Sequence, residues 1–541
     1  MISVTLDQGQ VIQVESGTSL QELSKGMNVK YPIVAAAVNN EFKDLLFKVH
    51  EPARIKFYDL TSQLGLSVYV RSLSFLFIRA AREVLPNCRV MVEHSLAKGL
   101  YCEIKGGHLT GSLVKEIEQR MKEIVDADEP FEKIRISKEE ALEIFERDGQ
   151  LDKVKMLKFL PHPEGNIYKF GWLYDFFYGY LVPSTGYLKV FALQFHLPGV
   201  IIQFPMPENP EVIPKYVPQP KLAQIFFEAE RWAEILGVNT VADLNEFIVE
   251  GNLPLLVKIA EGLHEKKVAN IADEISAHKD RGNIILISGP SSSGKTTFAE
   301  RLKIQLMVNG LKPVSISVDN YFVDREKTPR DEYGEFDFEA LEAIDLDLFN
   351  DHLTKLIQGY EIELPIFNFI TGRRELSGHR IRIKPDQPII IEGIHGLNEK
   401  MTYSIPKDHK FKVYASCLTQ LNIDDHNRIP TTDVRKIRRI VRDHKYRGYS
   451  ALYTIKIWPS VRRGEEKNIF PFQEDADIMF NSALIYELAV LKPFAEPLLK
   501  EIGPENEEYI EAQRLLRFLS YFLPVDSKEI PANSIIKEFI G

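Results

Sequence analysis

Cysteine is scarce: three residues in 541, at 88, 102 and 417, with no C-x-x-C pair. So few and so scattered, they exclude a disulfide framework and a four-cysteine zinc site and fit a reducing compartment, so a cytoplasmic location is expected. Long uncharged apolar runs are also lacking, as is a secretory leader pattern, and no membrane partner is expected. Positive charge is not in excess. The formal net charge is −10 with 27% charged residues, which argues against a protein that coats nucleic acid or anionic lipid, although local basic patches remain open. Low-complexity tracts and repeats are absent. What is present is length and apolar content: 44% hydrophobic residues over 541 positions suffice for about three or four packed domains.

The strongest local signal is Gly289-Pro290-Ser291-Ser292-Ser293-Gly294-Lys295-Thr296. It fits G-x-x-x-x-G-K-[ST], the phosphate-binding loop of P-loop NTPases. Residues 284–288 read as a short buried strand before it. Phe298, Ala299, Leu302 and Leu306 share one face of a helix after it, and Gly310 is the expected stop. The glycines let backbone N–H groups turn toward phosphates, and the helix N-terminus adds its positive end. Lys295 is expected on the β- and γ-phosphates and the Thr296 hydroxyl on Mg2+.

Residues 313–318 read as a second strand, ending in Asp319-Asn320-Tyr321-Phe322. Ligands of open α/β sheets lie beyond the carboxyl ends of the strands, so Asp319 is expected to face the phosphates and take a proton from an attacking hydroxyl. A turn or cap role is the plain alternative. A third apolar run, 388–391, ends in Glu392, expected to hold Mg2+; a bare strand-end charge is the alternative. A later helix carries Val434, Ile437 and Val441 on one stripe and Arg435, Arg438, Arg439 and Arg442 on another face, with Lys445 and Arg447 beyond.

These pieces resemble the uridine kinase and phosphoribulokinase family over roughly 281–500. The resemblance rests on the loop through Thr297, on Val318-Asp319-Asn320-Tyr321-Phe322, on Phe336-Asp337-Phe338-Glu339, on Leu364-Pro365-Ile366-Phe367-Asn368-Phe369 and on Ile391-Glu392-Gly393-Ile394. It implies ATP and Mg2+ as cofactors and transfer of the γ-phosphate to a nucleoside 5′-hydroxyl. It implies catalytic roles for Asp319, Lys295 and Arg442. Nucleotide contacts are implied for Gly289, Ser291, Ser292, Ser293, Gly294, Thr296, Thr297, Arg439 and Arg447. Acceptor contacts are implied for Asp319, Tyr321, Glu339, Phe367 and Arg374, and metal ligation for Thr296 and Glu392. The departures are Phe367 and Gly372, where the family has a pyrimidine-reading tyrosine and histidine, and Tyr449 in place of a further lid arginine. Arg462, Arg463 and Lys467 form another basic cluster with no role beyond anion contact or solubility.

The front of the chain reads differently. Strands at 2–6, 11–14, 34–38 and 53–58, a turn at Asp7-Gln8-Gly9 and a short helix at 19–25 resemble the TGS domain, a β-grasp module. From 63 to about 213 the pattern resembles the editing domain that follows TGS in threonyl-tRNA synthetases, with a helix expected at 73–85. Positions implied to carry that domain's His and Cys ligands hold Arg71, Phe75, Phe177 and Leu181, while Asp175 is kept. A module that folds without zinc is expected, with His94 near a loop in a structural or solvent-facing role. Residues 214–220 read as an extended linker, and helices are expected at 223–236, 255–278 and 508–522.

The expected fold class is multidomain α/β and α+β. It comprises a TGS-like β-grasp domain (1–62), an editing-like domain (63–213), linker and helices (214–280), a P-loop kinase domain with a doubly wound parallel sheet (281–500) and a helical tail (501–541). A nucleoside kinase is the leading expectation. A kinase of another small hydroxylated metabolite, or an NTP-dependent regulator contacting RNA or tRNA through the front domains, stays open, as does a homo-oligomeric state.

Overall fold

Alternating apolar residues in the first sixty positions build a mixed five-stranded sheet in the computed structural model, which describes all residues except 8, 279–283, 385–386 and 420. Gln8 of the expected turn, and 281–283 at the expected start of the kinase domain, lie outside the described residues. The order is Val11–Val14, Ile2–Leu6, Ala53–Tyr58, Ala35–Val38, Glu41–Lys43, with only Ile2–Leu6 and Ala53–Tyr58 parallel. Helix Leu20–Lys25 opens on a capping box between Ser19 and Glu22. Val4, Leu20, Ala36 and Ile55 are fully buried beneath it.

The next helix begins earlier than its apolar pattern indicates. It spans Gln63–Val84 rather than starting near 73, because the Ser62 hydroxyl accepts from the Gly65 N–H and caps it there. By length and composition this helix could cross a membrane, contrary to the expectation that no such run exists, yet most of its length is buried in the protein. It packs with helix Gly111–Asp126 and a four-stranded antiparallel sheet, in the order Ala192–His196, Gly199–Gln203, Gly99–Lys105, Arg89–Leu96. Phe75 and Phe177 meet edge-on at 5.1 Å, with Phe170 5.3 Å from Phe75. Aromatic packing fills the space around these two positions. The Arg71 guanidinium donates to the Tyr180 carbonyl at 2.9 Å. His94 lies within a strand rather than beside a loop, buried and stacked 3.6 Å from the Phe226 ring.

Helices Pro220–Leu236, Val241–Val249 and Leu253–Ala277 lead to a second layered unit. Its strands are β1 (Ile284–Ser288), β2 (Val314–Ser317), β3 (Ile389–Glu392), β4 (Lys410–Ser416) and β5 (Ile478–Asn481). They form one parallel sheet in the order β2-β3-β1-β4-β5. β1 and β4 are buried along their whole length, as strands covered on both faces must be. Helix α1 (Lys295–Val308) follows β1, and α2 (Thr431–Arg447), α3 (Ala451–Asn468), α4 (Glu487–Lys500), α5 (Tyr509–Leu519) and a short α6 (Lys537–Ile540) complete the unit.

A hairpin between β4 and α2, Asn422–Asp424 with Asn427–Arg428, inserts into the front module. Arg89 grips Asp425 through two bonds of 2.5 and 2.7 Å. Beneath them Lys153, fully buried, sits 3.1 Å from Asp175 and 3.0 Å from Asp424, while His426 Nδ1 lies 2.7 Å from Asp175. Burial alone would discharge Lys153; Asp175, Asp424 and Asp152 overcome it and hold the ammonium charged. Asp175, retained where an editing site is expected, is thus neutralised from two directions and covered by the hairpin.

Candidate active site

The loop between β1 and α1 takes its shape from close approach. A Cβ on Gly289 would lie 1.9 Å from the Ala415 carbonyl oxygen, so no side chain fits there. Ser292 adopts φ +58°, a left-handed turn in the middle of the loop. The loop's carbonyls are taken by neighbours: Arg435 donates to the Ser291 oxygen at 2.9 Å, Arg438 to that of Ser292 at 3.4 Å and the Ser482 hydroxyl to that of Ser293 at 2.5 Å. Lys295 donates to the Pro290 carbonyl at 2.9 Å, folding back across the loop. Burial pulls its pKa down, opposed by the charges of Glu392, Asp319, Glu538 and Glu339.

β2 and β3 run in register with Ser317 beside Glu392, and the Ser317 hydroxyl donates to one Glu392 oxygen at 2.6 Å. Burial, with Asp319 adding to it, pushes the Glu392 carboxyl up. Asp319 follows β2 in a short 3-10 turn at Val318–Tyr321, at the same end of the sheet. Glu339 is buried with one carboxylate oxygen unpartnered, and burial first, then Glu465, pushes it up to about 7. Among the described residues no group of three or more His, Cys, Asp or Glu side chains is placed to hold a metal. Glu392 with the exposed Thr296 fits the sparser demand of Mg2+, which takes one or two protein ligands alongside phosphate oxygens.

The basic helix α2 divides its arginines. Arg435 and Arg438 are fully buried, pairing with Glu465 and Glu487 against the loop whose carbonyls they hold. Arg439, Arg442 and Arg447 gather on Asp443, at 3.2, 2.7 and 3.7 Å, and Arg439 also donates to the Ser291 hydroxyl at 3.0 Å. The Arg447 guanidinium lies 4.5 Å above Phe369. Arg462 pairs with Glu465 and Glu466, and Arg463 with Asp331.

Two expected acceptor residues are turned elsewhere. Tyr321 is buried against Phe349, its hydroxyl 3.0 Å from His352 Nδ1, because the 3-10 turn swings it into the core. Arg374 pairs with Asp345 at 2.8 Å. Phe367 stays near Phe322 and Phe369, at 5.6 and 5.2 Å. Gly372 occupies the tight end of the hairpin Ile362–Asn368/Arg373–Ile381 at φ +69°. The sequence reading missed Glu538, which accepts from both the N–H and the hydroxyl of Thr297, at 3.1 and 2.9 Å. The apolar spacing of Ile535, Ile536, Phe539 and Ile540 signals a buried face, but nothing local signals what it covers.

A glycine-shaped loop at the carboxyl end of a parallel sheet, a buried loop lysine and strand-end acids together have the form of a P-loop phosphate-binding site. Residues 284–487 match the family described as Phosphoribulokinase / Uridine kinase family. The N-terminal region is similar to threonine–tRNA ligases: 28% identity over 197 residues with that of Desulforamulus reducens and 29% over 196 residues with threonine–tRNA ligase 2 of Bacillus subtilis. Each alignment covers 36% of this chain and 31% of the ligase, so the chain spans about a third of the length of these relatives. Among solved structures, a possible uridine kinase from Bacillus stearothermophilus is 19% identical, covering 37% of this chain and 88% of that one at a TM-score of 0.26. D-glycerate 3-kinase from Cryptococcus neoformans var. grubii is 13% identical, covering 47% and 87% at a TM-score of 0.21.

Proposed function

We propose that the protein is an ATP-dependent nucleoside kinase that moves the γ-phosphate to a 5′-hydroxyl. The observation that carries this reading is Asp319 in the turn that follows β2, two residues past Ser317, whose hydroxyl holds Glu392 at the adjoining strand end. In this reading Asp319 takes the hydroxyl proton as the oxygen attacks phosphorus. Lys295 and Arg439, both at the loop, offset charge on the phosphoryl oxygens. In the same reading Arg442 and Arg447, paired with Asp443, turn to the triphosphate when it binds. Glu392 and Thr296 would hold Mg2+, which supplies charge neutralisation between phosphates. The division at 62/63, 213/214, 280/281 and 500/501, and a cytoplasmic location, belong to the same proposal.

A second reading, a kinase of another small hydroxylated metabolite, is favoured by the base-facing positions. Phe367 and Gly372 offer no hydrogen bond through their side chains, and sites that read a base edge discriminate through such bonds. A competitive panel of nucleosides and sugars with ATP and Mg2+ separates the two. Broad nucleoside use, or preference for a base other than uracil, is expected. Strict preference for uridine and cytidine over purine nucleosides refutes the relaxed-base part, and turnover confined to non-nucleosides selects the second reading.

A further inference from the structure

The kinase site contains a piece of the chain that phosphoryl transfer does not call for. Residues 534–541 return from α5 to the loop and lie across it. Ile535, Ile536 and Phe539 are fully buried and Ile540 nearly so. An ideal Cβ on Gly294 would meet the Ile535 side chain at 2.7 Å, so the segment is seated directly on the loop's second glycine. The Glu538 carboxylate takes the N–H and hydroxyl of Thr297 in the first turn of α1, where backbone donors and the helix's positive end converge. Two donors at a helix N-terminus are the environment a phosphate oxygen seeks. One residue on, the Phe539 ring lies 4.9 Å from the Arg438 guanidinium, the stacking by which a flat aromatic base is held. Lys445 of α2 donates to the Ile540 carbonyl, tying the segment to the basic helix as well.

We propose that residues 534–541 are an autoinhibitory plug, with Glu538 in the seat of a nucleotide phosphate and Phe539 in that of its aromatic base, so that a nucleoside triphosphate binds only when the segment leaves. The inference rests on the reading of 289–297 as the nucleotide site. It gives a role to an acidic side chain that accepts two bonds at the first turn of α1, the place of an anion. Displacement by nucleotide also frees Lys445 at the far end of α2, which couples occupancy to that basic helix.

The test uses the full chain and two probes, ADP and a non-hydrolysable ATP analogue, each with Mg2+, with binding read by calorimetry. If the segment occupies the site about nine-tenths of the time, Glu538→Ala and Glu538→Gln each tighten the apparent Kd by about tenfold, because the closed fraction no longer taxes binding. Lys295→Ala checks the underlying site separately and weakens binding of both probes. Equal affinity of wild type and both Glu538 variants, with Lys295→Ala still weak, overturns the plug and leaves the site reading intact. Unchanged binding in Lys295→Ala overturns the site reading itself. Hydrogen exchange on the wild type needs no variant to fold. The amides of 537–540, bonded back to Ser534, Ile535 and Ile536, exchange faster when either probe is added; unchanged or slower exchange at saturating probe overturns displacement.

Discussion

Lys295 opens α1 and Asp319 follows β2, and in the proposed reaction they serve different partners. Lys295→Ala removes a cation from the phosphates and should raise the KM for ATP as well as slow turnover. Asp319→Asn keeps shape and removes basicity. It should leave ATP binding nearly unchanged while cutting kcat by about a hundredfold or more, read by steady-state kinetics. Glu339 supplies a pH test. Its carboxyl is pushed from 4.5 up to about 7 by burial, so it is protonated in the folded protein where the unfolded chain has lost the proton. Stability therefore falls as pH rises from that ordinary value toward 7. The ionised form is the one that accepts hydrogen bonds from sugar hydroxyls, so kcat/KM for the acceptor should rise between about pH 6 and pH 8, and Glu339→Gln should flatten that limb. The loop and its acids were legible because short motifs fix their own backbone. Tyr321 was not, since one 3-10 turn decides which way a side chain two positions beyond Asp319 points.

At the scale of elements, periodicity located α1 and α2 but not the use of their faces. The stripe of Val434, Ile437 and Val441 is buried as spacing requires. The opposite face is buried too, because Glu465 of α3 and Glu487 of α4 come from far along the chain to meet Arg435 and Arg438. No local pattern announces such partners. The same holds for the hairpin at 422–428, whose acids meet Arg89 and Lys153 from the distant front of the chain. Lys153→Met should leave Asp175 and Asp424 buried without their cation and cost about 3–5 kcal/mol, measured by urea unfolding. A loss below about 1 kcal/mol, the level of exposed pairs, would show that the network carries little of the interface.

For the whole molecule, the parallel sheet behind the glycine loop was expected from the apolar runs that precede and follow it, whereas the docking of one unit on another was not. The front module's pocket positions are occupied by Phe75 and Phe177, and its retained acid is sealed by the hairpin. The intact protein should therefore bind no stoichiometric zinc after dialysis and should not deacylate mischarged tRNA. Elemental analysis and a deacylation assay check this, and tRNA deacylation lost in Asp175→Ala would contradict it.

The hairpin also sets a schedule. Lys153 and Asp175 leave the ribosome roughly 250 residues ahead of Asp424 and His426, which at about 5–20 residues per second is a delay on the order of ten seconds or more. During that interval the front module has its acid and its lysine but lacks the strands that close over them. The first half of the chain thus reaches its finished form only after β4 of the second has been synthesised, so the two units mature as one clock rather than as beads added in turn.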